Sequence, residues 1–233
     1  MHFCEEQLLK NSQLFHIMIK KIINKFEKFE KFDFSGIFFY LFDLIKTAAN
    51  IYFFNLIIYQ ICHLKGVNCG KRIIFNGFPI IKRFPNSSIR FGNNCIFNSA
   101  RNSVPIQLQN ACVFITANKN AEIVFGNNSG ASGLKIYAKS KITIGNNVLI
   151  GAGCIIMDND SHNSDPAKRL LKVVPSKPII IEDNVFIGLQ CTILKGVTIG
   201  ENSVIGANSV VFNSIPENSI ALGNPCKVIM KRS

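Results

Sequence analysis

The chain has four histidines, and three of them, His2, His16 and His63, precede residue 66. The fourth, His162, stands in a polar stretch with Asp158, Asp160 and Asp165 around it. A histidine titrates near neutrality, so it can take a proton from a hydroxyl as that oxygen attacks an acyl carbon. A neighbouring carboxylate can orient the ring through its other nitrogen, which makes Asp158, Asp160 and Asp165 the candidate partners of a catalytic His162, Asp158 and Asp160 foremost. A zinc site of the three-histidine kind needs two more ligands than this region supplies, so no metal is expected. An isolated histidine in a polar loop is ordinarily only solvated. What singles out His162 is the place where its loop leaves an otherwise regular chain.

That regularity is clearest from Ile181 to Pro216, which divides into six hexads: IEDNVF, IGLQCT, ILKGVT, IGENSV, IGANSV and VFNSIP. Ile or Val opens every one (Ile181, Ile187, Ile193, Ile199, Ile205, Val211). The fifth position is small or β-branched: Val185, Cys191, Val197, Ser203, Ser209, Ile215. A fixed six-residue period with one large and one smaller inward position predicts a parallel β-helix, each hexad forming one face of a prism and about 18 residues forming a coil. A corner signature recurs at Phe91-Gly92-Asn93-Asn94, Phe125-Gly126-Asn127-Asn128, Ile144-Gly145-Asn146-Asn147, Ile181-Glu182-Asp183-Asn184 and Ile199-Gly200-Glu201-Asn202. Its first residues lie 34, 19, 37 and 18 apart, close to whole numbers of coils, so these corners should stack. Gly and Asn accept the left-handed backbone that a sharp corner needs.

The hexads run cleanly through Ile144, Ile150 and Ile156, with Val148 and Cys154 inward, and fail at Asp158. From there to Pro178 the chain is polar and basic, with three prolines, and the hexads resume with the phase moved by one residue. A loop must leave the prism over 158–178. Solenoids place such insertions on one face, often the binding face, and long loops in compact domains are usually functional.

The expected organisation is therefore residues 1–65 as a helical, Phe-rich segment, 66–222 as the β-helix and 223–233 as a C-terminal tail. In the first segment Leu14, Ile17, Met18, Lys21, Ile22 and Phe26 follow a helical apolar pattern. Ile37 to Ile61 is the most apolar stretch, but Asp43, Lys46, Asn50, Asn55 and Gln60 interrupt it, at a cost of several kcal/mol in lipid. Amphipathic helices are expected here. They either pack on the base of the β-helix or in an oligomer, or lie on the inner membrane face; a true span is the least favoured reading.

Only 17% of residues are charged and 48% are hydrophobic, which suits a solenoid with a continuous apolar column. The net charge of +12 suggests an anionic partner: nucleic acid, acidic lipid, a phosphorylated cofactor or an acidic polysaccharide. Nucleic acid ranks last, because no basic run is interleaved with stacking aromatics. Of eight cysteines, Cys154 and Cys191 fall at inward fifth positions and none forms a CxxC pair, so buried free thiols in a reducing compartment are expected rather than disulfides. The beginning MHFCEEQLLKNSQ lacks the basic start and apolar core of a secretory signal, which favours the cytoplasm.

From Ile144 onward the sequence resembles the hexapeptide-repeat O-acetyltransferases, the group of galactoside, maltose and bacterial polysaccharide acetyltransferases. The matching pieces are IGNNVLIGAGCII, the loop His162-Asn163-Ser164-Asp165-Pro166-Ala167-Lys168-Arg169, the run KPIIIEDNVFIGLQCTILKGVTIGENSVIGANSVV, and IPENSIALGNPCKVI with its Gly223-Asn224-Pro225-Cys226-Lys227 ending. In the sugar acetyltransferases that loop reads His-Pro-x-Asp-Pro-x-x-Arg. The resemblance implies a left-handed β-helix, a hand contrary to the usual crossover rule. It also implies a homotrimer, an active site between subunits, and direct acetyl transfer from acetyl-CoA with His162 as base. By motif match the donor would touch Gly188, Leu189, Gly206, Ala207, Phe212 and Asn213, with Lys227 meeting a phosphate, while Asp165 and Arg169 would serve the acceptor. A plainer reading of Gly188 and Gly206 is corner geometry.

The sugar acetyltransferases carry an acceptor-binding Asn about two hexads before the turn that corresponds to ITIG; here that region is GASGLKIYA, with no Asn in register. They also carry an acidic residue in a helical cap that has no counterpart here, and a Trp where Phe186 stands. These departures, with the Phe-rich leader, make the chain similar to the polysaccharide enzymes, which act on capsule or lipopolysaccharide sugars, often lipid-linked at the cytoplasmic membrane face. The expected function is thus O-acetylation of a glycan hydroxyl, with residues 1–65 left open between packing in the protein and peripheral contact with the membrane. An N-acyltransferase acting on an amino-sugar nucleotide and a non-catalytic scaffold are the alternatives.

Overall fold

The computed structural model describes residues 34–163, 165–169 and 174–231; the helical pattern from Leu14 to Phe26 lies outside them. Contacts divide the chain into two units, Met1–Ile57 and Ile58–Ser233. The division falls earlier than the boundary at 65 read from composition, because the end of the helix joins the second unit.

The first unit contains most of one continuous 31-residue helix, Phe34–Leu64, where several amphipathic helices were expected. Its large side chains are exposed at Phe38, Phe39, Tyr40, Phe42, Ile45 and Phe53. Successive residues point about 100° apart around a helix, so these exposed groups cover more than one face and do not form a single amphipathic stripe. Asn55 is buried and donates to the Ile51 carbonyl at 2.6 Å. Among the described residues no helix is long and apolar enough to cross a membrane.

In the second unit the last helical turns are tied to the start of the sheet. Ile58 and Cys62 are buried, and the Tyr59 hydroxyl accepts from Ile73 N at 3.0 Å. The helix closes with Gly66 at φ +63°, where Gly66 N donates to His63 O and Val67 N to Cys62 O, satisfying carbonyls that a helix end would leave open.

From Asn68 the chain winds as a parallel β-helix with three sheets of six, eight and six strands. The first sheet runs through Asn68–Cys69, Ser88–Phe91, Glu122–Phe125, Lys141–Ile144, Ile179–Ile181 and Thr198–Ile199. All five recurring corner signatures begin at the end of a strand in this sheet, so they stack as expected. The expected fold, all-β with a left-handed parallel β-helix and an N-terminal helical segment, is the one observed. Among the described residues the only antiparallel pairing between strands is at the end, where Lys227–Lys231 folds back on Ser219–Leu222 instead of forming a free tail.

The six hexad-opening residues from Ile181 to Val211 are all completely buried, and the six fifth-position residues are nearly so. The fifth position does more than fill space. The thiols of Cys95, Cys154 and Cys191 donate to the carbonyls of Gly126, Gly188 and Gly206, and the hydroxyl of Ser129 donates to that of Gly145. Each reaches the corner of the following coil, so a small side chain with a donor suits the site. The seven described cysteines are free. In the earlier coils the column is aromatic: Phe75, Phe91, Phe97, Phe114 and Phe125 meet one another with centroid separations from 4.8 Å upward.

At the stacked corners the positive φ belongs to the Asn that ends the turn, not to Gly. Asn94, Asn128, Asn147, Asn184, Asn202 and Asn218 all lie at φ between 55° and 59°. Each of the first five donates its amide to the next one's side-chain oxygen at 2.8–3.2 Å, forming a continuous ladder. The corner glycines answer a different need. A Cβ on Gly126 would lie 2.5 Å from the Gly145 carbonyl carbon, so coils stack too closely there for any side chain.

Candidate active site

The phase change seen in the sequence is absorbed by the loop alone. Ile144 pairs with Ile181, Ile150 with Ile187 and Ile156 with Ile193, so the coils on both sides remain in register. The loop departs after Ile155–Met157, an interior strand of the third sheet, from the side of the prism where the strands of that sheet end.

Its neck is built around Asp158, which is fully buried. One carboxylate oxygen accepts from Lys139 N at 2.8 Å and Asn159 Nδ2 at 3.0 Å. The other accepts from Ser140 N at 2.6 Å and Ser140 Oγ at 3.0 Å. None of these four donors is His162: Asp158 faces the preceding coil and ties the departure point of the loop to it. The neck is closed by a bridge between Asn159 and Ser176 and by Lys177 N donating to Asp158 O at 2.9 Å.

Beyond the neck the chain turns sharply. Ser161 lies at φ +63°, its N–H donates to Asn159 Oδ1 at 3.0 Å, and His162 N donates to Asp160 O at 2.7 Å. An i to i+2 hydrogen bond around a residue of positive φ is a strained γ-turn, a geometry that persists only when its surroundings enforce it. The turn presents the His162 ring to solvent, and the ring makes no hydrogen bond among the described residues. The Asp160 carboxylate, expected at the ring, is instead ion-paired with Lys195 on the next coil.

Asp165 caps the 3-10 turn Pro166–Lys168, accepting from Ala167 N at 2.9 Å and pairing with Lys168 at 3.4 Å. Arg169 ends that turn and is exposed. The two acceptor candidates thus sit on one turn just beyond His162.

The donor candidates fall on two corners flanking the third sheet. Gly188-Leu189 and Gly206-Ala207 stack on one corner, linked by Gly188 N to Ile205 O and Asn208 N to Leu189 O. Phe212 and Asn213 follow the strand Val210–Val211 at the other edge. Because Ile193 pairs with Val211, that edge is also the one where Lys195 sits and from which the His162 loop leaves. Leu189 and Phe212 are exposed apolar groups, as a ligand contact would require. Lys227 is exposed and pairs with Leu222, which lies against Gly206. The glycines themselves are explained by stacking, since a Cβ on Gly188 would lie 2.5 Å from Ala207 N and one on Gly206 2.7 Å from Leu222 Cβ. Among the described residues no group of three or more His, Cys, Asp or Glu could hold a metal.

Sequence reasoning did not single out Asn159, Ser161 or Lys195. Lys195 lies 35 residues from its partner Asp160, inside a hexad whose other positions read as pure repeat. Positive φ at a serine has no sequence signal.

Known proteins similar to this chain carry the same repeat. Residues 141–157 and 178–213 match the family model described as the hexapeptide repeat of succinyl-transferase, leaving out the loop between them. The chain is 37% identical over 115 residues to the galactoside O-acetyltransferase of Lactococcus lactis, covering 46% of this chain and 55% of that protein. It is 44% identical over 96 residues to the galactoside O-acetyltransferase of Escherichia coli, covering 41% and 47% respectively. The chain spans about half the length of the curated relatives it matches. Among solved structures, AntD, an N-acyltransferase from Bacillus cereus in complex with dTDP and 3-hydroxybutyryl-CoA, aligns with a TM-score of 0.57 at 22% identity, over 75% of this chain and 88% of that one. That likeness speaks for the fold. The resemblance to hexapeptide-repeat acetyltransferases read from the sequence is thus shown.

Proposed function

We propose that this chain is an acetyl-CoA-dependent O-acetyltransferase that modifies a sugar hydroxyl in the biosynthesis of a surface polysaccharide, capsule or lipopolysaccharide. The observation that carries the proposal is the His162 ring, exposed and without a hydrogen bond among the described residues, on a loop whose neck is rigidly built. Its unprotonated nitrogen takes the proton of the acceptor hydroxyl as that oxygen attacks the thioester carbonyl. The tetrahedral intermediate collapses, and the protonated ring returns the proton to the departing thiolate of CoA. The names of the Lactococcus lactis and Escherichia coli relatives support a sugar hydroxyl as acceptor. The loss of an in-register Asn in GASGLKIYA supports a glycan larger than a free galactoside.

In this reading acetyl-CoA lies against Leu189, Ala207, Phe212 and Asn213, with Lys227 near a phosphate, and Asp165 and Arg169 meet the acceptor. The protein works as a homotrimer with each site shared between subunits. An outward apolar column on the second sheet supports association: Ile96, Leu149 and Phe186 are 43%, 57% and 48% exposed and stand in one register line. The exposed aromatic residues of the helix Phe34–Leu64 support peripheral contact with the inner face of the cytoplasmic membrane, where a lipid-linked acceptor would be met. Vesicle co-sedimentation with anionic lipid checks this contact: deleting residues 1–60 is expected to abolish binding, and unchanged binding would refute it.

The reaction is tested by supplying acetyl-CoA with either a hydroxyl-only glycan or an amino-sugar nucleotide. Ester formation on the glycan supports the proposal. Transfer only to the amine would make the chain an N-acyltransferase, and acetyl transfer to neither, with no affinity for acetyl-CoA, would leave it a scaffold.

A further inference from the structure

The pair Lys195–Asp160 joins a hexad position outside the inward repeat pattern to a residue outside the loop motif His162–Arg169. Lys195 is on the corner Lys195-Gly196 that follows Thr192–Ile193, a rigid element of the prism, and its side chain is only 26% exposed. That corner grips both limbs of the loop. On the outgoing limb Lys195 Nζ meets the Asp160 carboxylate, and Asp160 O in turn accepts the N–H of His162 across the γ-turn. On the returning limb Gly196 N donates to Lys177 O at 3.1 Å, and Gly196, at φ +77°, leaves space filled by the Lys177 side chain.

A half-exposed ion pair contributes little to global stability, on the order of 0–1 kcal/mol. Its consequence is local. Ser161 has to remain at positive φ for His162 N to reach Asp160 O, and a strained turn of this kind relaxes unless its flank is fixed. Asp160 is that flank, and Lys195 is the group on the coil that fixes it. Sites function when the reacting group is supported by residues on rigid elements.

We infer that Lys195 is a positioning residue for His162, acting through Asp160 to hold the γ-turn that aims the imidazole. This rests on the transferase reading above, and it changes the role of Asp160 from partner of the ring to anchor of the turn.

The test compares Lys195→Met, Lys195→Arg, Asp160→Asn and the double variant Lys195→Met/Asp160→Asn in the full chain. Lys195→Met is expected to lower kcat by about 10- to 100-fold, as loss of alignment does. KM for acetyl-CoA should stay within about twofold, since no donor contact is removed. Lys195→Arg should restore most of kcat, and the double variant should be no worse than the worse single one, because both break the same link. Additive losses, or a raised KM for acetyl-CoA at unchanged kcat, would overturn the inference; the latter would make Lys195 a donor contact. A second readout does not depend on activity. In protein labelled with 15N-histidine, the His162 amide order parameter should fall from about 0.85 in the parent to below about 0.6 in Lys195→Met. An unchanged order parameter overturns the positioning role, whereas absence of transfer in the parent protein overturns the transferase reading and leaves the order parameter to decide this one.

Discussion

The Asp158 carboxylate accepts the Ser140 amide at 2.6 Å from one coil to the next, and through this contact a loop that leaves the prism stays fastened to it. With Lys139 N, Ser140 Oγ and Asn159 Nδ2 also directed at it, the buried carboxylate satisfies four donors. Each buried donor left unsatisfied costs about 1–3 kcal/mol, so Asp158→Ala is expected to lower unfolding stability by at least about 3 kcal/mol. Denaturant unfolding checks this, and a loss below about 1 kcal/mol would mean the neck is held by other contacts.

Gly188 separates corner geometry from ligand binding. A Cβ at this position would sit 2.5 Å from Ala207 N, and the obstacle is backbone rather than a flexible side chain. Gly188→Ala is therefore expected to cost about 2 kcal/mol or more through forced separation of two coils. The midpoint of thermal unfolding should fall. Full stability combined with weakened acetyl-CoA binding would show that the glycine serves the donor instead.

The acid limb of stability should carry a contribution from Asp183. Hydrogen bonds from the Asn146 side-chain amide and backbone N–H, at 2.9 and 2.8 Å, hold its carboxyl below the usual 3.8. A carboxyl whose folded value is depressed stabilises the native state above its unfolded value and loses that contribution as pH falls through the folded value. The stability gap between the parent and Asp183→Asn is thus expected to be full at about pH 5 and to close towards about pH 2. A gap that does not change with pH would show that ionisation of Asp183 is not linked to folding.

How much of this was legible in sequence depended on which side chains fill the column. From Ile142 on, Ile and Val recur inward and the hexads are plain. In the earlier coils Phe75, Phe91, Phe97, Phe114 and Phe125 occupy the same column, and a connection between the strands Ile96–Asn98 and Val113–Thr116 breaks the period, so the repeat is blurred there. The position of the loop was readable because the register slips by one residue across it. The direction of its carboxylates was not. Asp158 and Asp160 are both close to His162 in sequence, yet one faces the preceding coil and the other the following one, a distinction set by stacking and not by spacing. The glycine-asparagine corner was legible as a motif, while its division of labour, close approach at Gly and positive φ at Asn, required the backbone.

In the proposed reaction His162 is the general base of an acetyl transfer. Its ring is exposed and contributes no hydrogen bond among the described residues, so His162→Ala should unfold at the parent temperature and bind acetyl-CoA with unchanged affinity. The direct measurement is the rate of acetyl transfer from acetyl-CoA to a glycan hydroxyl by His162→Ala beside the parent protein. A loss of about 10²- to 10⁴-fold is expected for removal of a general base. Transfer at the parental rate by a folded His162→Ala protein that binds acetyl-CoA would contradict the account.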